Sequence, residues 1–214
     1  MKVYISAILT LLIVVFFSCR KVDDTPPIIN MKPPDTLAQV LNKPYVDPGA
    51  TATDEADGNI TNNIYIQNDV DVNKVGKYTV VYSVVDKQGN EAAPKTRWVF
   101  VYNQAWSYAG YYNTLETEVY PSQNTNEYVA RIAADSLLNY RINISSFSGD
   151  TLISVYGDIK DTVLIIPFQK VGGDTATTSF QGSGIINDTV ISLQYTKIDS
   201  TGTSLWNAVF TRSK

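Results

Sequence analysis

Few residues in this chain are equipped for chemistry, and their types narrow what that chemistry can be. The 214 residues include one cysteine, Cys19, and no histidine. Without histidine there is no imidazole base, no Ser-His-Asp or Cys-His nucleophile pair and no histidine-ligated metal. A single cysteine makes neither an intramolecular disulfide nor a zinc knuckle. The sequence has no GxxxxGK[ST] loop, no GxGxxG turn after a strand and no GxSxG elbow. Carboxylates, lysines and tyrosines remain as acid–base groups, but no motif assembles them. No catalytic residue and no cofactor is therefore assigned, and no enzymatic activity is expected.

Two groups of residues have the chemistry to bind. Asp54, Asp57, Asn59, Asp86 and Asn90 carry side-chain oxygens of the kind calcium takes, about six to eight at a time. The same residue types build turns and cap strands. No EF-hand spacing is present, so the turn reading is preferred and no metal ligand is assigned. Trp106, Tyr108, Tyr111, Tyr112 and Trp206 lie near the two ends of the C-terminal half. If the first and last strands there pair, these rings come together. Trp106, Tyr111, Tyr112 and Trp206 are then candidates to stack on a glycan, against the alternative that they fill a core as in most β-proteins. Nucleic acid is not an expected partner: the formal charge is −4, the acidic and basic residues are scattered, and no basic stripe occurs.

The elements that must position these residues begin with the segment before Cys19. Met1 and Lys2 precede "VYISAILTLLIVVFF", an apolar run shorter than the roughly 20 residues of a membrane-spanning helix and suited to a signal-peptide core. "FFSC" resembles the lipobox of bacterial lipoproteins, with small Ser18 before the cysteine. Bulky residues such as Phe16 and Phe17 are familiar in the lipoboxes of Bacteroidota. The resemblance implies removal of residues 1–18, acylation of Cys19 and attachment to a membrane. Two or three acyl chains, at about 0.8 kcal/mol per buried methylene, would hold the protein durably. "RKVDD" resembles the signal that exports such lipoproteins to the outer face of the outer membrane, with Asp23 and Asp24 as its acidic residues. Residues 19–26 then read as a tether stiffened by "TPP".

Residues 27–102 read as short strands separated by turns, an all-β pattern. In "GKYTVVYSVVDKQGN", Tyr78, Val80, Tyr82 and Val84 alternate with Thr79, Val81, Ser83 and Val85, which gives a strand with one face strongly apolar. Asp86 and Gly89 suit the turn that follows, and "KTRWVFVY" reads as the closing strand. "PYVDPGATATDEADGNIT", "GKYTVVYSVVDKQGNEA" and the Arg-aromatic last strand together resemble a bacterial Ig-like domain. That domain occurs in Bacteroidota surface lipoproteins and is repeated in some pesticidal crystal proteins. The resemblance implies a seven-stranded sandwich that acts as a spacer or adhesion-like module, and no particular chemistry.

Residues 103–214 read as about eight strands with short polar links, an antiparallel meander that closes into a barrel or a curved sheet. A short helix at "YVARIAADSLL" is an alternative for one of them. "AGYYN" and "FQGSGIINDTVISLQY" resemble the lipocalin-like C-terminal domains of small Bacteroidota lipoproteins. Asp followed by Thr or Ser recurs before apolar residues, which places Thr36, Ser136, Thr151, Thr162, Thr175 and Thr189 where turns meet strands. This pattern also resembles the O-glycosylation sequon of exported Bacteroidota proteins. The expected function is that of a non-enzymatic surface lipoprotein, a binding accessory of polysaccharide uptake. A structural or adhesion protein that contacts another surface protein is the alternative.

Overall fold

The computed structural model describes residues 22–172 and 177–214. Cys19 and Thr175 lie outside these residues. The fold is all-β, with Ig-like sheets followed by an eight-stranded antiparallel barrel. By contact the chain forms two compact units. One holds the described part of Met1–Pro33 with Pro48–Gln67 and Val81–Thr96; the other holds Pro34–Asp47, Asn68–Val80 and Arg97–Lys214.

The Ig-like strands are β1 (Ile28–Met31), β2 (Thr36–Val40), β3 (Ala50–Asp54), β4 (Gly58–Asn59), β5 (Tyr65–Asn68), β6 (Gly76–Ser83) and β7 (Lys95–Tyr102). One sheet has the order β1-β3-β4 and the other β2-β7-β6-β5, so the seven strands implied by the resemblance are present. β2 runs parallel to β7, from Thr36 opposite Trp98 to Val40 opposite Tyr102. The alternation expected in β6 holds: Val80 and Tyr82 on the strand and Val84 just past its end are buried. On β7, Arg97, Val99 and Val101 face inward. Arg97 is fully buried, and its Nε lies 3.1 Å from Asp47 Oδ2. Tyr45 donates to the same carboxylate oxygen at 2.6 Å, and Arg97 also donates to the Pro34 carbonyl. The "YVDPG" motif and the arginine of the closing strand therefore form one structural network.

The barrel strands are β8 (Gly110–Tyr120), β9 (Thr125–Ala134), β10 (Arg141–Ser145), β11 (Ser154–Lys160), β12 (Val163–Val171), β13 (Thr178–Asn187), β14 (Val190–Asp199) and β15 (Gly202–Arg212). Each pairs with its successor, and β15 returns to β8, with Phe210 opposite Thr114 and Arg212 opposite Tyr112. The meander therefore closes, and no barrel edge is left for association. The segment weighed as a helix is strand β9, because Ala130 and Ile132 alternate inward with a period of two.

Two local devices shape the barrel. Gly182 and Gly184 of β13 lie where β14 approaches closely: a Cβ on them would sit 2.4 Å from the Gln194 carbonyl oxygen and 2.2 Å from that of Ser192. Only glycine permits that approach, which explains the "GSG" of the sequence. On β12, Pro167 lies within a register shift between Ile166 and Gln169, as expected where proline removes a ladder donor. The Gln169 side chain substitutes for the lost pairing: its Oε1 accepts from Tyr156 N at 2.9 Å and its Nε2 donates to Tyr156 O at 2.8 Å.

The barrel interior is filled by side chains, among them Ile132, Ile144, Leu164, Phe180, Tyr195 and Phe210. Phe147, on the loop between β10 and β11, is fully buried in this cluster. Its ring lies edge-on to Phe180 at 5.2 Å and tilted to Tyr195 at 4.9 Å, favourable aromatic geometries.

Candidate functional site

Three polar or aromatic constellations emerge from this fold. The first lies in the Ig-like unit, where strand ends and turns bring acidic residues together. Asp54 ends β3, and its Oδ1 accepts from the backbone N–H groups of Ala56 and Asp57, both at 2.9 Å. Asp86 follows β6; its Oδ1 accepts from Gln88 N and Asn90 N, both at 2.8 Å, and its Oδ2 from Asn90 Nδ2 at 2.7 Å. Burial alone would raise the Asp86 pKa. The bonds from Asn90, Gly89 and Gln88 outweigh it and hold the carboxyl below the usual carboxylate range. Asp23 comes from the tether. Its Oδ1 accepts from Thr25, and its carbonyl accepts from Asn90 Nδ2 at 3.1 Å.

Carboxylate oxygens of Asp23, Asp54 and Asp86 all lie within 4.8 Å of one another. Of the other sequence candidates, Asn90 bonds Asp86 and the Asp23 carbonyl within the cluster, whereas Asp57 and Asn59 serve elsewhere. Asp57 pairs with Lys87 at 3.0 Å, and the hydrogen bond from the Lys87 backbone leads the interactions that lower its pKa. Asn59 caps the backbone of Thr61 at 3.0 Å. Asp57 thus ties the β3–β4 turn to Lys87, Asn59 caps a turn, and Asp54 and Asp86 cap turns while also sharing a cluster. Sequence spacing gave no sign of Asp23 in that cluster. The acidic pair of the tether divides: Asp23 is half-buried and Asp24 is exposed.

The second constellation is aromatic. Trp106 lies on a short 3₁₀ turn, Gln104–Tyr108, and is 73% exposed. It lines a cleft of about 470 Å³ with Val75, Phe100, Tyr102, Asp135 and Ser136, all within the second compact unit. The floor is rigid because Asn103 is fully used: its Nδ2 donates to the carbonyls of Asp135, Leu138 and Arg141, and its Oδ1 accepts from Ala105 N and Tyr140 N. β8 and β15 do pair, but the four aromatic candidates do not share a face. Tyr111 is exposed on the outer face of β8, whereas Tyr112, its neighbour on the pleat, is 2% exposed inside the barrel. Tyr112 donates its hydroxyl hydrogen to the Tyr108 carbonyl at 2.9 Å and cannot reach a ligand at the surface. Trp206 packs against the core and stacks on Tyr195 at 6.4 Å. Phe100 and Tyr102, which join Trp106, carried no sequence signal beyond their place on a strand.

The third constellation is buried. The inner face of β8 carries Thr114, Glu116 and Glu118. Glu116 is fully buried, and its Oε1 accepts from Tyr128 OH at 2.5 Å and from Tyr195 OH at 3.0 Å. Burial pushes the Glu116 pKa up against the lowering effect of both tyrosines. It also raises both phenols, with the Glu116 charge adding to the effect. Ser148 N donates to the Tyr128 oxygen at 3.1 Å, which links the Phe147 loop to this network. The group is a polar brace enclosed by core residues.

The Asp-Thr/Ser positions within the described residues, Thr36, Ser136, Thr151, Thr162 and Thr189, are all exposed. Asp161 and Asp188 take positive φ, 55° and 54°, at the tips of the β11–β12 and β13–β14 hairpins, a backbone region that Asp tolerates better than most residues.

Comparison with known proteins gives the class of the N-terminal part. Residues 29–101 match the family described as "Bacterial surface protein, Ig-like domain". Among curated proteins none is significantly similar to the chain. Among solved structures, a lipoprotein from Bacteroides thetaiotaomicron is similar at 18% identity with a TM-score of 0.36, covering 86% of this chain and 100% of that one. The CBM51-2 and INT domains of ZmpB from Clostridium perfringens, in complex with GlcNAc, are similar at 19% identity with a TM-score of 0.30, covering 86% of this chain. This chain spans 43% of the length of that structure.

Proposed function

We propose that this protein is a non-enzymatic binding module displayed on the bacterial cell surface. In this reading lipids on Cys19 hold it on the outer membrane, and Asp23 and Asp24 direct it to the outer face. The Ig-like part serves as a spacer, and a carbohydrate is taken, as an accessory of polysaccharide uptake, by residues of the C-terminal part together with the end of β7. The observation that carries the binding reading is the Trp106 cleft: exposed Trp106, Phe100 and Tyr102 stand beside the polar groups of Asp135 and Ser136. Aromatic faces take the C–H face of a sugar ring, and a few polar groups fix its orientation. Among the described residues the barrel interior is filled by its own side chains.

Glycan-array screening followed by calorimetry, on the chain from Lys21 onward, tests this reading. Binding is expected, and Trp106→Ala should weaken it at least about tenfold, the size of a lost stacking contact of roughly 1.4 kcal/mol, with an unchanged melting curve. A silent array, or binding indifferent to Trp106→Ala, would contradict it. One observation favours a second reading, contact with another surface protein: Trp98, Phe100 and Tyr102 of β7 form an outward aromatic row, with Lys77 Nζ 3.8 Å from the Trp98 ring centroid. Capture of a specific surface protein that is lost on Trp98→Ala, together with a silent array, would establish that reading in place of the first.

A further inference from the structure

We infer that Asp23, Asp54 and Asp86 form a calcium site that clamps the membrane tether to the Ig-like unit. Three carboxylates bring oxygens within 4.8 Å of one another. Among the described residues no lysine or arginine forms an ion pair with any of them. Like charges this close repel strongly when partly desolvated, so the arrangement calls for a compensating cation. A second observation points the same way. Asp54 is 8% exposed, and its Oδ2 is buried without a hydrogen-bond partner; Asp23 Oδ2 is in the same condition. The other oxygen of each is already committed to local N–H or O–H donors, so the carboxylates are fixed in orientation. A buried oxygen without a partner is costly, and native structures avoid it unless a ligand or ion completes the site.

The donor set selects the metal. All three ligands are hard carboxylate oxygens, with no sulfur or nitrogen among them, which disfavours zinc and copper. Calcium accepts about six to eight oxygens in flexible geometry, whereas magnesium demands a near-ideal octahedron and sheds its water reluctantly. Water would complete the calcium shell. The three ligands come from separate stretches: the tether, the end of β3 and the turn after β6. An ion shared by them fixes the segment that emerges from the anchor against the body of the domain. Asp23 then has a role in the folded protein beyond any role in export.

The test is calorimetric titration and thermal melting of the chain from Lys21 onward, which contains every described residue, with calcium chloride as the probe. The expected result is one calcium per chain, weaker response to magnesium, and a melting temperature that rises with calcium and falls back on chelation with EDTA. Asp54→Asn should weaken binding at least about tenfold. Because it removes repulsion, it should melt no lower than the EDTA-treated wild type. Asp23→Asn lies outside every strand and keeps an oxygen for Thr25, and it should weaken binding likewise. Asp57→Asn, which lies outside the cluster, should bind as wild type does. Absence of any calcium-dependent heat or melting shift in the wild type would overturn the inference. So would calcium binding of unchanged affinity in both Asp54→Asn and Asp23→Asn, which would place the ion elsewhere.

Discussion

Glu116 shows how a single residue can set the pH response of the barrel. Its carboxyl is fully buried on the inner face of β8, held by two tyrosine hydroxyls, with Oε2 lacking a partner. Burial raises its folded-state pKa above the ordinary 4.5. Between the unfolded and folded values the native state binds the proton more tightly. Stability from this group is therefore complete below about 4.5 and is lost as pH rises through the folded-state value. Glu116→Gln should flatten that decline, so that denaturation curves of the variant change less between pH 4 and pH 8 than those of the wild type. An identical pH dependence in the two would show that Glu116 ionises in the fold without cost. No motif or spacing pointed to this residue. "NTLETEVY" places Leu115 and Val119 on the apolar side of the alternation, yet those residues face out and the glutamates face in. Alternation reveals a strand, but which face is inward depends on the neighbouring strands.

At the scale of elements, the strands were the most legible part. "KTRWVFVY" appears as β7 with its full extent, "GYYN" opens β8 and "FQGSGIIN" completes β13, because period-two patterning and turn residues are local signals. The devices that join strands are not local. Gln169 was unremarkable in sequence, although its amide replaces a backbone pairing across β11 and β12. The two glycines of "GSG" were visible as a motif, but their reason is the approach of a strand that begins several residues later. Gly184→Ala places a methyl 2.2 Å from a backbone oxygen, which neither strand can yield without breaking register. The expected cost is on the order of 3 kcal/mol, read by chemical denaturation. Ser183→Ala, on the exposed outer face of the same strand, should stay within about 0.5 kcal/mol. Equal, small effects at both positions would mean that the barrel does not need the close approach.

For the whole molecule, the fold class was readable from the sequence, and its Ig-like part was recognisable from motifs that turn out to be structural. Tyr45, Asp47 and Arg97 meet in one network, and Asp54 and Asp86 cap turns while facing the tether. The aromatic platform was legible only in part. Pairing of β8 with β15 followed from the meander, but Tyr111 and Tyr112, adjacent on one strand, had to separate to opposite faces. Trp106 instead lines a cleft with Phe100 and Tyr102, a few residues earlier on β7, and with Val75, Asp135 and Ser136, stretches distant in sequence that no local pattern brings together.

Presentation of the module at the cell surface through Cys19 is the proposal on which its other roles depend. It is tested most directly by fractionating cells that express the wild type and Cys19→Ala, with protease treatment of intact cells in parallel. Wild-type protein is expected in the outer-membrane fraction and open to external protease. Cys19→Ala protein is expected to be absent from that fraction, with both β-structured parts still folded. Cys19→Ala protein that still co-fractionates with the outer membrane would contradict the proposal.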